Sequence, residues 1–263
     1  MPPSATAATP EHGGPPLTVG IVGAGRLGGA LLQACADAGL PVSLRARGST
    51  GWTVESVPGV LIDASAPGGF PEVAAYCLRH TVPLLECVSH LREEHSGLLA
   101  EVAAAVPVLE AVNLSFGSYL QRRLAGLVAT AHHPTVPEVD VLDRHPARKA
   151  ARVSTTAERL ATAWTQAGGR PEAELGLRRG GPEVSEHSIT WTWGAEEALT
   201  VHHQVTSLRS VARTALVLAQ HLPRYPPGLV TVDEAFHVLS GQSVSGQPVS
   251  GHSLSDHPMR EVF

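Results

Sequence analysis

LTVGIVGAGRLGGALLQACADAG, residues 17–39, is the stretch that decides the fold. Leu17 to Val22 is a short apolar run of strand type. Gly23, Gly25 and Gly28 follow at once as G-x-G-x-x-G, and a helical periodicity then runs to a stop at Gly39. Strand, glycine turn and helix in immediate succession is the context in which this pattern binds a dinucleotide. The glycines let backbone approach a pyrophosphate, and the helix N-terminus favours its charge. A tight turn that binds nothing is the plain alternative; the strand and helix on either side favour the cofactor.

Working outward, Pro41 to Ser49 is expected to be the second strand and its end. An NAD-preferring fold usually carries an acid there for the ribose 2′-hydroxyl. Arg45 and Arg47 stand there instead, and arginine suits a 2′-phosphate, so NADPH is expected over NADH. The plain alternative is two surface arginines at a strand end. Gly59 to Phe70 reads as a further buried strand with a Pro/Gly-rich turn, followed by helix, strand, helix and a fifth strand, PVLEAVNLSFGS. That alternation predicts a doubly wound parallel sheet. After Asn113 the rhythm changes. A long amphipathic helix, a strand, a helix, then two or three neighbouring strands predict a separate α+β unit. The expected organisation is a leader over 1–16 and a dinucleotide-binding domain over 17–116, completed by 223–240. An α+β substrate-binding and oligomerisation domain spans 117–222, and 241–263 is a low-complexity tail.

Composition narrows the function. The 263 residues carry a formal net charge of −5 and only 16% charged residues, which suits neither a nucleic-acid surface nor a polybasic membrane patch. Cys35, Cys77 and Cys87 lack metal-ligand spacing and read as reduced thiols of a cytoplasmic protein. The leader has neither a basic nor an apolar region of secretory type, and no apolar run reaches membrane-spanning length. Adjacent pairs such as His132-His133 and His202-His203 are poorly spaced to share a metal, and no metal site is expected.

The chemistry is expected in VLDRHPARKAARVSTTA, residues 141–157. Lys149, four residues after His145, is the only lysine in the chain. Arginine supplies charge but does not release a proton near neutral pH, whereas tuned lysine and histidine do. Ser154, Thr155 and Thr156 open what reads as a helix, where hydroxyls and free N–H groups suit a carboxylate or phosphate. A solvated basic loop followed by an ordinary Ser/Thr cap is the plain reading of the same residues.

Taken together these motifs resemble the 4-hydroxy-tetrahydrodipicolinate reductase family, from about Leu17 to Leu239. Gly25-Arg26-Leu27-Gly28 is similar to the family's Gly-Arg-Met-Gly, VLIDASAP to its third-strand segment, and Ala111, Asn113, Ser115 and Gly117 to its Ala-x-Asn-x-Ser-x-Gly. Asp143, His145, Lys149, Ser154, Thr156 and Ala157 fall in register with its Glu-x-His-His-x-x-Lys-x-Asp-x-Pro-Ser-Gly-Thr-Ala signature, and Ser185-Glu186-His187-Ser188 loosely matches its Gly-Glu-His-Thr. The resemblance implies hydride transfer from NAD(P)H to a cyclic unsaturated imine dicarboxylate. It implies His145 as general acid, Lys149 beside the imine nitrogen, and Ser154, Thr155 and Thr156 around a substrate carboxylate. It places Gly23, Gly25, Arg26, Leu27, Gly28, Arg45, Arg47, Ser65, Ala66, Glu86, Val88, Ala111, Asn113 and Phe116 around the cofactor, and it implies a homotetramer.

The chain also departs from the family pattern. Glu86-Cys87-Val88-Ser89 replaces Gly-Thr-Thr-Gly, Pro146 the second histidine, Thr155 a glycine and Leu208 an arginine. Three functions therefore stand at this point. One is the reductase of lysine and diaminopimelate biosynthesis. Another is the same scaffold acting on a different imine or enamine in specialised metabolism. The third is a non-catalytic NADP-binding sensor, which the retained His145 and Lys149 argue against.

Overall fold

The computed structural model describes residues 17–47, 50–89, 91–111, 113–131, 133–147, 152–181 and 184–241. The leader, residues 242–263 of the tail and Lys149 lie outside the described residues.

The first half alternates strand and helix: β1 (Val19–Val22), α1 (Arg26–Asp37), β2 (Val42–Arg47), β3 (Thr50–Val54), β4 (Val60–Asp63), α2 (Phe70–His80), β5 (Leu84–Glu86), α3 (Leu91–Ala105) and β6 (Pro107–Glu110). Then come α4 (Phe116–Thr130), β7 (Glu138–His145), α5 (Thr155–Gln166), β8 (Glu174–Arg179), β9 (Ser185–Trp193) and β10 (Glu197–Val205). The described chain closes with α6 (Leu208–His221), β11 (Gly228–Thr231) and α7 (Val232–Leu239).

Seven strands form one sheet in the order β11-β6-β5-β4-β1-β2-β3, parallel except for the edge pair β2/β3. β1 and β4 are buried at every residue, as near-continuous apolar runs between two helical layers must be. One layer packs Leu31, Ala34 and Cys35 of α1 with Ala215 and Leu216 of α6 and Phe236 of α7. The other packs Phe70, Val73 and Cys77 of α2 with Leu99 and Val102 of α3. This is the doubly wound sheet that the alternation predicts. β3 is an addition to that expectation. The pattern after Asn113 groups α6 with the α+β unit, whereas the helix packs its small residues Ala212, Ala215 and Ala219 into the core that α1 shares.

Four strands form the second sheet in the order β10-β9-β7-β8. Its inner face sets Val139, Val141, Ile189 and Trp191 against Ala125 of α4 and Ala157, Leu160 and Trp164 of α5. Strand alternation then sends Asp143 and His145 of β7 and His187 of β9 to that same buried face, where the apolar stripe turns polar. Leu175 and Leu177 of β8 and Leu199 of β10 pair with Val141, Asp143 and Trp191 on that face, and are exposed at the two edges of the sheet.

Candidate active site

The glycine turn lies between β1 and α1, beside the point where the strand order reverses. Gly23 has φ +117°, and a side chain there would strike the Ala64 carbonyl. Gly28 packs on the Gly23 carbonyl with the same consequence. At Gly25 a side chain would meet nothing within 4 Å, so the turn opens a cradle at the start of α1. Gly25 is the N-cap of that helix and makes no side-chain cap bond, so the first-turn N–H groups have no partner within the helix. These residues fit a pyrophosphate. Leu27 packs on the core, and Arg45 and Arg47 are exposed on β2, Arg47 being its last residue. Ser65 and Ala66 follow β4, and Val88 follows β5 with its N–H donating to Glu86 Oε1 at 2.7 Å. The Ala111 N–H donates to the Glu86 carbonyl at 2.7 Å, which holds the β5 loop against the exit of β6.

Asn113 joins the two units. Its amide donates to Ser118 Oγ at 3.1 Å and to Thr156 Oγ1 at 3.2 Å, and its oxygen accepts from the Ser115 N–H at 2.9 Å. Ser118 also accepts from Arg122 at 3.1 Å, and Arg122 pairs with Asp233 of α7. Phe116 opens α4, stacks on Tyr119 and meets Phe236 edge to face. Gly117 leaves room for His203, which a side chain would approach to 2.6 Å. His203 hydrogen-bonds Ser115 Oγ through Nε2 at 2.8 Å, and burial pushes its pKa down to about 4. Its neighbour His202 faces outward, as strand alternation requires.

The centre of the second unit is Asp143. Its Oδ1 accepts from His145 Nε2 at 2.9 Å, from His187 Nε2 at 3.2 Å and from Ser154 Oγ at 2.9 Å, and its Oδ2 accepts from the Ser154 N–H at 2.9 Å. Burial alone would raise this carboxyl, but the bonds from His145, His187 and Ser154 hold it far below the carboxylate range. His145 Nδ1 faces the Val184 carbonyl at 3.0 Å, so Val184 and Asp143 hold the ring from both sides. Asp143, His145 and His187 are the one set of three among the described residues close enough to hold a single ion, and hydrogen bonds already join them.

Of the residues expected at the site, His145 and Ser154 meet at Asp143, while Thr156 accepts from Asn113. The resemblance assigns Ser154 to the substrate, whereas the structure commits that hydroxyl to Asp143 and to capping α5 through the Ala157 N–H. Thr155, exposed, and Thr156, half-buried, stand in the first turn of α5. The partnership of Asp143 with His187 was not read. Its signal was an acid and two histidines at inward positions of otherwise apolar strands, paired in register across β7 and β9.

No family model matches the chain. A curated relative, the 4-hydroxy-tetrahydrodipicolinate reductase of Xanthomonas campestris pv. campestris (strain B100), is 32% identical over 232 residues, covering 81% of this chain and 94% of the relative. The chain belongs to the 4-hydroxy-tetrahydrodipicolinate reductase family. The family member of Myxococcus xanthus (strain DK1622) is 33% identical over 174 residues, 59% of this chain and 64% of its own. A dipicolinate-bound dihydrodipicolinate reductase from Paenisporosarcina sp. TG-14 shares the fold with a TM-score of 0.62 at 16% identity, over 82% of this chain and 97% of that one. Membership makes the chain a reductase, an oxidoreductase that uses a nicotinamide cofactor. Among the described residues no helix is long and apolar enough to cross a membrane.

Proposed function

We propose that this reductase draws on NADPH to reduce a cyclic unsaturated imine, 4-hydroxy-tetrahydrodipicolinate, to tetrahydrodipicolinate in lysine and diaminopimelate biosynthesis. The observation that carries the reading is the His145–Asp143 pair, buried at the end of β7 beside the start of α5. Histidine here is a proton source held in one orientation by a carboxylate. Thr155 and Thr156, with the first-turn N–H groups of α5, would receive a substrate carboxylate. Lys149 would face the imine nitrogen and hold or deliver its proton. Asn113 would set the height of Thr156 from the other unit.

The nicotinamide supplies the hydride. Gly23, Gly25, Arg26, Leu27 and Gly28 would hold its pyrophosphate, and Ser65, Ala66, Glu86, Val88, Ala111, Asn113 and Phe116 would border its nicotinamide half. Arg45 and Arg47 would take the 2′-phosphate. Replacing both by alanine is expected to weaken NADPH by about tenfold or more, with NADH affected little, because a charge-assisted contact contributes about 1.5–3 kcal/mol. Fluorescence titration of both nucleotides reads the difference; equal weakening would reject the phosphate role. A homotetramer joined through the second sheet belongs to the same reading.

A second reading, the same chemistry on another cyclic imine, draws on Ser154 being committed to Asp143 and on Val88 and Leu208 lacking polar side chains. NADPH oxidation with enzymatically generated 4-hydroxy-tetrahydrodipicolinate, beside a panel of cyclic imines, separates the two. Highest kcat/KM on the dipicolinate precursor is expected, and turnover of a panel member alone would transfer the assignment to the second reading.

A further inference from the structure

A row of polar side chains crosses the second sheet. Asp143 of β7 pairs in register with His187 of β9, and His187 pairs with His203 of β10. Asp143 accepts from His145 and His187. The His187 and His203 rings lie nearly parallel, 8° apart in plane, with their centroids 6.4 Å apart. The row therefore starts at the buried carboxylate of the site and ends at a histidine on the edge strand.

His203 turns that end toward the segment joining the two units. Its Nε2 and Ser115 Oγ share a hydrogen bond of 2.8 Å. Its Nδ1 is buried and has no hydrogen-bond partner among the described residues, so the ring is oriented by the Ser115 bond and the stack on His187. Ser115 caps α4 and donates its N–H to Asn113 Oδ1 at 2.9 Å, and Asn113 Nδ2 donates to Thr156 Oγ1 at 3.2 Å. A continuous path thus runs from Asp143 out along the sheet, over the joining segment and back to the first turn of α5. Gly117 permits the approach, because a Cβ there would stand 2.6 Å from His203 Cδ2. The body of α4 has its own anchor: Gln121 Nε2 donates to the carbonyls of His187 at 3.0 Å and Val201 at 2.9 Å. What His203 holds is the turn before the helix.

We propose that His203 is a positioning residue that sets the two units in register: it ties the Asn113–Ser115 turn to the sheet row of Asp143 and so fixes Thr156 relative to His145. The inference rests on the functional reading above, in which Asn113 borders the nicotinamide half of the cofactor and Thr156 receives a substrate carboxylate. The His203–Ser115 bond then fixes the hydride donor and its acceptor against each other. A misplacement of about 1 Å in such a pair costs up to about 100-fold in rate. His203 acts through Ser115 and Asn113 and not on the reacting atoms. Its effect falls on turnover of the imine, while nucleotide affinity is set at the glycine turn between β1 and α1.

The test uses the full-length protein, NADPH, and 4-hydroxy-tetrahydrodipicolinate or the panel imine that the wild type reduces fastest. His203→Leu fills the space without the bond and is expected to lower kcat/KM for the imine by about tenfold or more, with Kd for NADPH unchanged. His203→Gln sets an amide where Nε2 stands and is expected to recover most of the loss. His203→Asn, whose shorter amide reaches only the Nδ1 position, is expected to stay as low as His203→Leu. Ser115→Ala removes the other end of the bond, and combining it with His203→Leu is expected to add little to either loss, as for partners in one interaction. A lowered urea midpoint in the His203 variants with unchanged kcat/KM would make the ring a packing element and overturn the proposal. Equal losses in His203→Gln and His203→Asn, or additive losses in the double variant, would overturn it as well. If His203→Leu does not fold by circular dichroism, Ser115→Ala decides, and a wild-type kcat/KM there rejects the role. If the wild type reduces no imine, the functional reading falls first and this inference with it.

Discussion

Asp143→Ala is expected to lower folding stability by about 3–5 kcal/mol and turnover by at least about two orders of magnitude. The carboxylate is fully buried and receives four hydrogen bonds, from His145, His187, and the hydroxyl and N–H of Ser154. Removing it leaves two imidazole N–H groups and a helix cap pointing into a cavity. The buried donors then lack partners, and that cost exceeds what the lost contacts contributed. Turnover falls because His145 loses the group that orients its ring. Urea denaturation at neutral pH reads the first effect and kcat the second. The sign of the pH dependence follows from the depressed carboxyl. A group whose pKa is lowered on folding stabilises above its unfolded value, about 3.9, and loses that contribution as pH falls through and below it. The wild type should therefore lose stability below about pH 5, and the variant should show a shallower acid limb. A variant that unfolds at the same urea concentration as the wild type at both pH values would show the carboxylate to be idle.

The parts of the molecule that were legible in the sequence are those set by neighbours along the chain. The β1 turn carries its instruction locally: an apolar run, glycines at the positions where φ is positive or the backbone is crowded, and a helix behind them. The parallel alternation through β6 is equally local, because each buried strand and amphipathic helix shows its own period. β3 escaped because a short edge strand of mixed polarity, with Gly51 at φ +69°, lacks the apolar run of its buried neighbours. α6 has the amphipathic pattern of any surface helix, and nothing local says that α1 is what it meets. The same holds in the sites. Ser154 as a cap could be read from its place before a helix, but its bond to Asp143 needs the β7–α5 connection to fold back. Asp143 and His187 meet only because β7 and β9 pair antiparallel in one register, and a slip by one residue would send His187 to solvent. Asp63 and Glu86 likewise require the β4–β5 ladder before two separate acids stand side by side at the end of the sheet.

Lys149→Arg is expected to leave folding and nucleotide affinity unchanged and to lower kcat by about two to four orders of magnitude. The residue lies outside the described part of the chain, but both ends of its segment are fixed. His145 closes β7 and Ser154 caps α5, and Asp143 binds both, so the connection between them begins and ends at one buried carboxylate. The single lysine of a chain whose other basic residues are all arginine sits in that connection. If positive charge were all that the site required, arginine would serve, and this chain supplies arginine everywhere else. Lysine differs in presenting a compact ammonium and in releasing its proton once desolvated. A cyclic imine that accepts hydride at carbon must acquire a proton at nitrogen, and a guanidinium does not yield one near neutral pH. The measurement is kcat and KM for the imine together with Kd for NADPH and the urea midpoint. A fall confined to kcat assigns the proton on nitrogen to Lys149, a rise confined to KM assigns it to holding a carboxylate, and unchanged turnover removes it from the reaction.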